Sequence, residues 1–69
     1  MEATYVKVKK GDKVALNANK YGANIGVIID VFIDEENKIE YLLDPIGANT
    51  KGAVIITPFE VARVLEPNI

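Results

Sequence analysis

Residues Tyr5-Val6-Lys7-Val8-Lys9 alternate apolar and charged, which puts Val6 and Val8 on one face of an extended segment and Lys7 and Lys9 on the other. Lys13-Val14-Ala15-Leu16-Asn17 repeats the alternation, with Val14 and Leu16 inward. Between the two runs, Lys10-Gly11-Asp12 carries turn chemistry: glycine takes a positive φ freely, and an aspartate carboxylate bonds nearby backbone. Ile25 to Ile33 is the longest periodic run. Ile25, Val27, Ile29, Val31 and Ile33 share one face of it, and Gly26, Ile28, Asp30 and Phe32 the other. Apolar residues on both faces predict a strand that bends and feeds the core on each side of the bend. Gly26 permits the close backbone approach or kink that such a strand needs.

Asp34-Glu35-Glu36-Asn37-Lys38 reads as a polar hairpin turn, and Ile39-Glu40-Tyr41-Leu42-Leu43 returns with Ile39, Tyr41 and Leu43 aligned. Asp44-Pro45 ends that strand, and Ala53-Val54-Ile55-Ile56-Thr57 forms another. Thr57-Pro58-Phe59-Glu60 predicts a single helical turn, with Thr57 as N-cap, Pro58 in the first helical position and Glu60 completing a capping box. Val61-Ala62-Arg63-Val64-Leu65 is the final strand, stopped by Pro67. Two stretches break the pattern: Asn17–Asn24, with three asparagines around Tyr21 and Gly22, and Pro45–Gly52. Together these predict an all-β chain, a small SH3-like barrel of five to six strands with one short helical turn before the last strand. An OB-fold would place a helix between its third and fourth strands, where Pro45–Gly52 is a poor helix former.

Composition narrows the chemistry. A length of 69 residues suits a single domain, residues 1–69, and 49% apolar content argues against disorder. With no cysteine and no histidine, disulfides, thiolate zinc sites, imidazole acid–base catalysis and Cys or His nucleophiles are excluded. The lack of disulfides also makes a cytoplasmic location the expectation. The N-terminus has no basic region followed by a long apolar run, and the longest apolar stretches, broken by Asp30, are too short to span a bilayer. Neither a signal peptide nor a membrane association is expected. Net charge is −2, distributed as +3 over residues 1–20, −5 over 21–50 and balanced beyond. A pI near 4.9 disfavours general polyanion binding.

The run Val8-Lys9-Lys10-Gly11-Asp12-Lys13-Val14 through Gly26-Val27-Ile28 resembles the KOW motif, the SH3-like element of some large-subunit ribosomal proteins and transcription elongation factors. The likeness covers residues 6–31. It implies structural roles for Val14, Gly26 and Val27, and places Lys9, Lys10, Lys13 and Lys20 near nucleic acid. The family's intervening loop is dense in lysine and glycine, whereas Asn17–Asn24 keeps only Lys20 and Gly22. The resemblance therefore supports the barrel more than an RNA contact. The second half is similar to other small SH3-like barrels, among them a photosystem I accessory subunit and prophage-encoded proteins, and a phage origin would suit the size.

Several residue groups are candidates for function. Lys7, Lys9, Lys10, Lys13 and Lys20 form either a phosphate-binding patch or a solvated face that keeps edge strands apart. No arginine joins them, and Tyr21 alone is placed to stack on a base, so KOW-type RNA or DNA binding through Lys9, Lys10, Lys13, Lys20 and Tyr21 is the alternative reading. Tyr21 is either an interaction hot spot or an anchor folded over the barrel mouth. Asp34, Glu35, Glu36, Glu40 and Asp44 lack the spacing of a calcium loop and read as solvated acids. Asp30 has no identifiable second polar group for acid–base work, and Gly47 to Gly52 lacks the order of a phosphate loop. No catalytic residue, metal site or cofactor is expected. The leading expectation is a non-enzymatic module that binds a protein as an accessory or regulatory subunit, with Tyr21, Asn24, Ile46 and Asn49 as contacts. The sequence leaves the oligomeric state open.

Overall fold

The computed structural model describes residues 6–47 and 52–69. Five strands form one antiparallel sheet: β1 (Lys13–Leu16), β2 (Ile25–Ile33), β3 (Ile39–Pro45), β4 (Val54–Ile56) and β5 (Val61–Glu66). Their order across the sheet is β4-β3-β2-β1-β5, so a four-stranded meander is completed by β5 returning to lie against β1. A single 3-10 turn, Pro58–Glu60, makes that return possible. This is the expected SH3-like, all-β architecture.

The inward residues of each strand meet in one core. Val14, Leu16, Ile28, Tyr41, Leu43, Ile56 and Val61 are buried together, and Val6, Val8, Tyr21, Ile39, Val54 and Val64 pack around them. The bend expected in β2 is a bulge. Ile28 opposes Leu43 and Asp30 opposes Leu42, so Ile29 is an extra residue with no partner of its own. One inserted residue reverses the side-chain phase. Gly26 and Ile28 face inward before it, while after it Val31 and Ile33 lie opposite the inward-facing Tyr41 and Ile39. This is why both faces of the run are apolar. At Gly26 a Cβ would come within 2.8 Å of the Leu43 side chain and 2.9 Å of the Asp44 carbonyl, so only glycine allows β2 and β3 to approach this closely.

β3 ends at Pro45, within the Asp44-Pro45 pair expected to stop it, and includes both residues. Pro45 lies opposite Gly26, and the next residue donates its N–H to Ile25 O at 2.8 Å. The alternation of the ladder turns the Pro45 nitrogen away from β2, where a missing N–H costs nothing.

The alternating segment at the N-terminal end departs from expectation. Tyr5 lies outside the described residues, and Val6 to Lys9 form no strand. Lys9 is drawn into a tight turn instead: its N–H donates to Asp12 Oδ2 at 2.9 Å, and Asp12 N–H donates to Lys9 O at 3.1 Å. Val8 then lies across the open mouth of the barrel, beside Val64 and Pro67 on one side and Val31, Ile39 and Tyr41 on the other. The alternation was correct about which side chains turn inward, since Val6 and Val8 both pack against the core.

The Gly11-Asp12 pair fastens this turn to the rest of the sheet. Gly11, at φ +93°, donates its N–H to Ile28 O at 2.7 Å, and Ile28 N–H returns to Asp12 O at 2.8 Å. Asp12 is only 4% exposed, and its second carboxylate oxygen accepts Asn68 N–H at 2.7 Å. Among the described residues no helix is long and apolar enough to cross a membrane.

Candidate functional site

The loop after β1 is held against the 3-10 turn by a small polar clasp. Asn17 N–H donates to Glu60 O at 2.9 Å, and Asn17 Nδ2 donates to Phe59 O at 2.7 Å. The Tyr21 hydroxyl donates to Glu60 Oε1 at 2.6 Å, while Lys20 Nζ lies 3.8 Å from the same oxygen and 5.5 Å from the centre of the Tyr21 ring. The other Glu60 oxygen accepts Thr57 N–H at 2.8 Å, as in the expected capping box. Burial pushes the Tyr21 phenol up to about 12, and the Glu60 carboxylate beside it adds to the rise. Burial alone would raise Glu60. The hydrogen bonds from Tyr21 and Thr57, with the Lys20 charge, outweigh that effect and hold the carboxyl below its ordinary value.

On the far side of the 3-10 turn lies a groove of about 360 Å³. Asn37, Lys38, Ile39 and Glu40 form one wall, at the tip and stem of the β2–β3 hairpin, and Thr57, Pro58 and Phe59 form the other. Pro58 is buried and Ile39 half-buried, yet Phe59 leaves 54% of its surface exposed. The fold brings these walls together because β4 pairs with β3 from Leu43 back to Tyr41 and delivers Thr57 beside Glu40. Ile39 and Pro58 make the floor of the groove apolar. The rim carries one lysine, one glutamate and one asparagine amide.

The sequence-derived contacts are distributed unevenly around this structure. Tyr21 is the anchor of the clasp, with its hydroxyl committed to Glu60 and its ring packed against the core. Asn24 is exposed, and its carbonyl accepts Leu16 N–H at 2.7 Å. Ile46 is exposed beside Ile25, so it and Asn24 sit at one end of the sheet, opposite the hairpin tip. Asn49 lies outside the described residues. Phe59, Pro58 and Ile39 did not figure among the sequence-derived contacts. Their signal was a large aromatic inside a helical turn too short to bury it.

The lysines do not form one patch. Lys9 and Lys10 stand in the turn before β1, whereas Lys20 lies in the loop after it, beyond a strand roughly 13 Å long. Lys13 pairs with Glu66 at 3.1 Å, and Lys20 is held by Glu60. Two acids of the hairpin are engaged within it, Asp34 and Glu36, and Lys38 Nζ lies 3.4 Å from Glu36 Oε2. Asp34 Oδ1 accepts the N–H groups of Glu36 and Lys38, each at 2.9 Å. Asp30 Oδ1 accepts Val31 N–H at 2.8 Å. Among the described residues no group of acids is placed to hold a metal ion. Comparison with protein-family models, with curated proteins and with solved structures finds no match.

Proposed function

We propose that this chain is a non-enzymatic protein-binding module, an accessory or regulatory subunit that receives an apolar-anchored peptide segment in the groove between the β2–β3 hairpin and the 3-10 turn. The observation that carries this reading is the exposed Phe59, held over an apolar floor by a turn that is fixed at both ends. Thr57 and Glu60 fix the turn internally, and Asn17 ties its Phe59 carbonyl to the preceding loop. An exposed aromatic on a backbone that is already held in place is a usual form of interaction hot spot, because little backbone freedom remains to be lost on binding. The Tyr21 clasp supports the site from behind, and Asn24 and Ile46 mark a second, more distant contact region. An intracellular, cytoplasmic setting fits a chain without cysteine.

The test is selection from a random-peptide phage library, followed by amide chemical-shift mapping of an enriched peptide. Shifts concentrated at residues 37–40 and 57–59, with binding reduced at least about tenfold by Phe59→Ala, support the reading; tenfold is the loss expected when a central aromatic contact is removed. Enriched peptides that map elsewhere, or that bind Phe59→Ala unchanged, would reject it.

A further inference from the structure

Among the described residues, the β2 strand is covered on only one edge beyond the bulge. β1 pairs with Ile25 to Val27, and the Gly11-Asp12 turn takes both backbone groups of Ile28. From Ile29 to Ile33, no described strand lies on that side. Asp34 N–H bonds Lys38 O, and Val31 and Ile33 lie opposite Tyr41 and Ile39, so the ladder's alternation turns the Val31 and Ile33 backbone groups toward the open edge. Of the described N-terminal residues, Lys7 and Val8 line a recess of about 330 Å³ together with Val31, and neither belongs to a strand. Ile33 is 68% exposed, and Ile29, Val31 and Phe32 are also open to solvent.

Charge identifies what fits this edge. At its start stands the Lys9-Lys10 turn, held there by the bond from Gly11 to Ile28; at its end stands Asp34-Glu35-Glu36. We infer that the Ile29–Ile33 edge pairs with the same edge of a second copy of this chain, antiparallel about a twofold axis near Val31. In that arrangement Ile29 faces the second copy's Ile33, and Asp30 faces its Phe32, so no two aspartates meet. The acidic hairpin of each copy reaches the lysine turn of the other, and the contact occurs twice. An isologous interface requires this kind of self-complementarity. The joined strands span roughly 17 Å, a small contact that gives a weak dimer.

Asp30 is the gate. Its carboxylate occupies the Val31 N–H, one of the groups the second strand must receive, and a charge placed on an edge is a usual guard against uncontrolled pairing. Asp30 has to swing aside for the ladder to form. This interface is separate from the Phe59 groove and does not depend on it.

Sedimentation equilibrium tests the inference on the full chain. Asp30→Ala should tighten self-association at least about tenfold, since the freed N–H is used twice in a symmetric dimer. Ile33→Pro should abolish it, while circular dichroism stays native because the lost N–H points outward. The deciding measurement mixes two charge variants. Lys9→Glu/Lys10→Glu and Glu35→Lys/Glu36→Lys should each be monomeric alone, yet form a one-to-one heterodimer together that weakens with salt. A monomeric Asp30→Ala protein at millimolar concentration, or charge variants that fail to pair when mixed, would overturn it.

Discussion

Both carboxylate oxygens of Asp12 are spoken for, by Lys9 N–H on one side and Asn68 N–H on the other, and the residue is buried. Replacing it with alanine leaves two backbone donors short of a charged acceptor. The expected loss is about 2–3 kcal/mol of stability, read as a lower urea midpoint with an unchanged slope. Gly11→Ala strikes the same lock from its backbone. Its φ of +93° disfavours any Cβ, and that atom would collide with Asn68 Nδ2. Asn68 can move away only by giving up its 3.0 Å bond to Lys10 O, so a cost of about 1–2 kcal/mol is expected. The lysine-rich turn that resembled a nucleic-acid motif thus has a structural purpose in its glycine and aspartate, whatever its lysines contact.

At the scale of elements, the clasp between the β1–β2 loop and the 3-10 turn gives stability a defined pH window. Tyr21 is raised to about 12 in the folded chain from an ordinary value of 10.0. Its stabilisation is therefore complete below pH 10 and is lost as pH rises toward 12. Glu60 is lowered from 4.5, so its contribution is present above that value and disappears as pH falls through the folded value. Tyr21→Phe should cost about 1 kcal/mol at neutral pH and remove a step near pH 12 from the tyrosine absorbance titration. Loss of a step at the ordinary value of 10.0 instead would show that the hydroxyl is not held by Glu60.

The same elements show how far the sequence reached. β2, the hairpin and the capped 3-10 turn were legible because each rests on local chemistry: alternation, a polar turn, and Thr and Glu three residues apart. The bend in β2 was visible as apolar residues on both faces, although the bulge at Ile29 that causes it depends on register with β3. The role of Tyr21 depended on Glu60, 39 residues away, and no local pattern carries that pairing. The groove was hidden for the same reason, since Phe59 and Ile39 meet only after β4 docks on β3. Local rules placed the strands, and long-range register placed the site.

For the whole molecule, the distribution of charge bears on the choice between a protein partner and a polyanion. The chain has a basic beginning, an acidic middle and a net charge of −2. The fold separates Lys20 from the Lys9-Lys10 turn by the length of β1 and gives Lys13 and Lys20 carboxylate neighbours. Both ion pairs are partly exposed and worth little energetically, but they break the continuity that a phosphate backbone requires. Lys9 and Lys10 stay together in the turn at one end of the β2 edge, and the acidic hairpin projects from the other. Two or three phosphate contacts give, at most, weak and salt-sensitive association. Fluorescence anisotropy with single-stranded RNA and duplex DNA should therefore detect no complex tighter than about 10⁻⁴ M at physiological salt. A micromolar complex whose affinity falls with salt at a logarithmic slope near −3, and which Lys9→Glu/Lys10→Glu abolishes, would make the lysine turn the functional surface in place of the Phe59 groove.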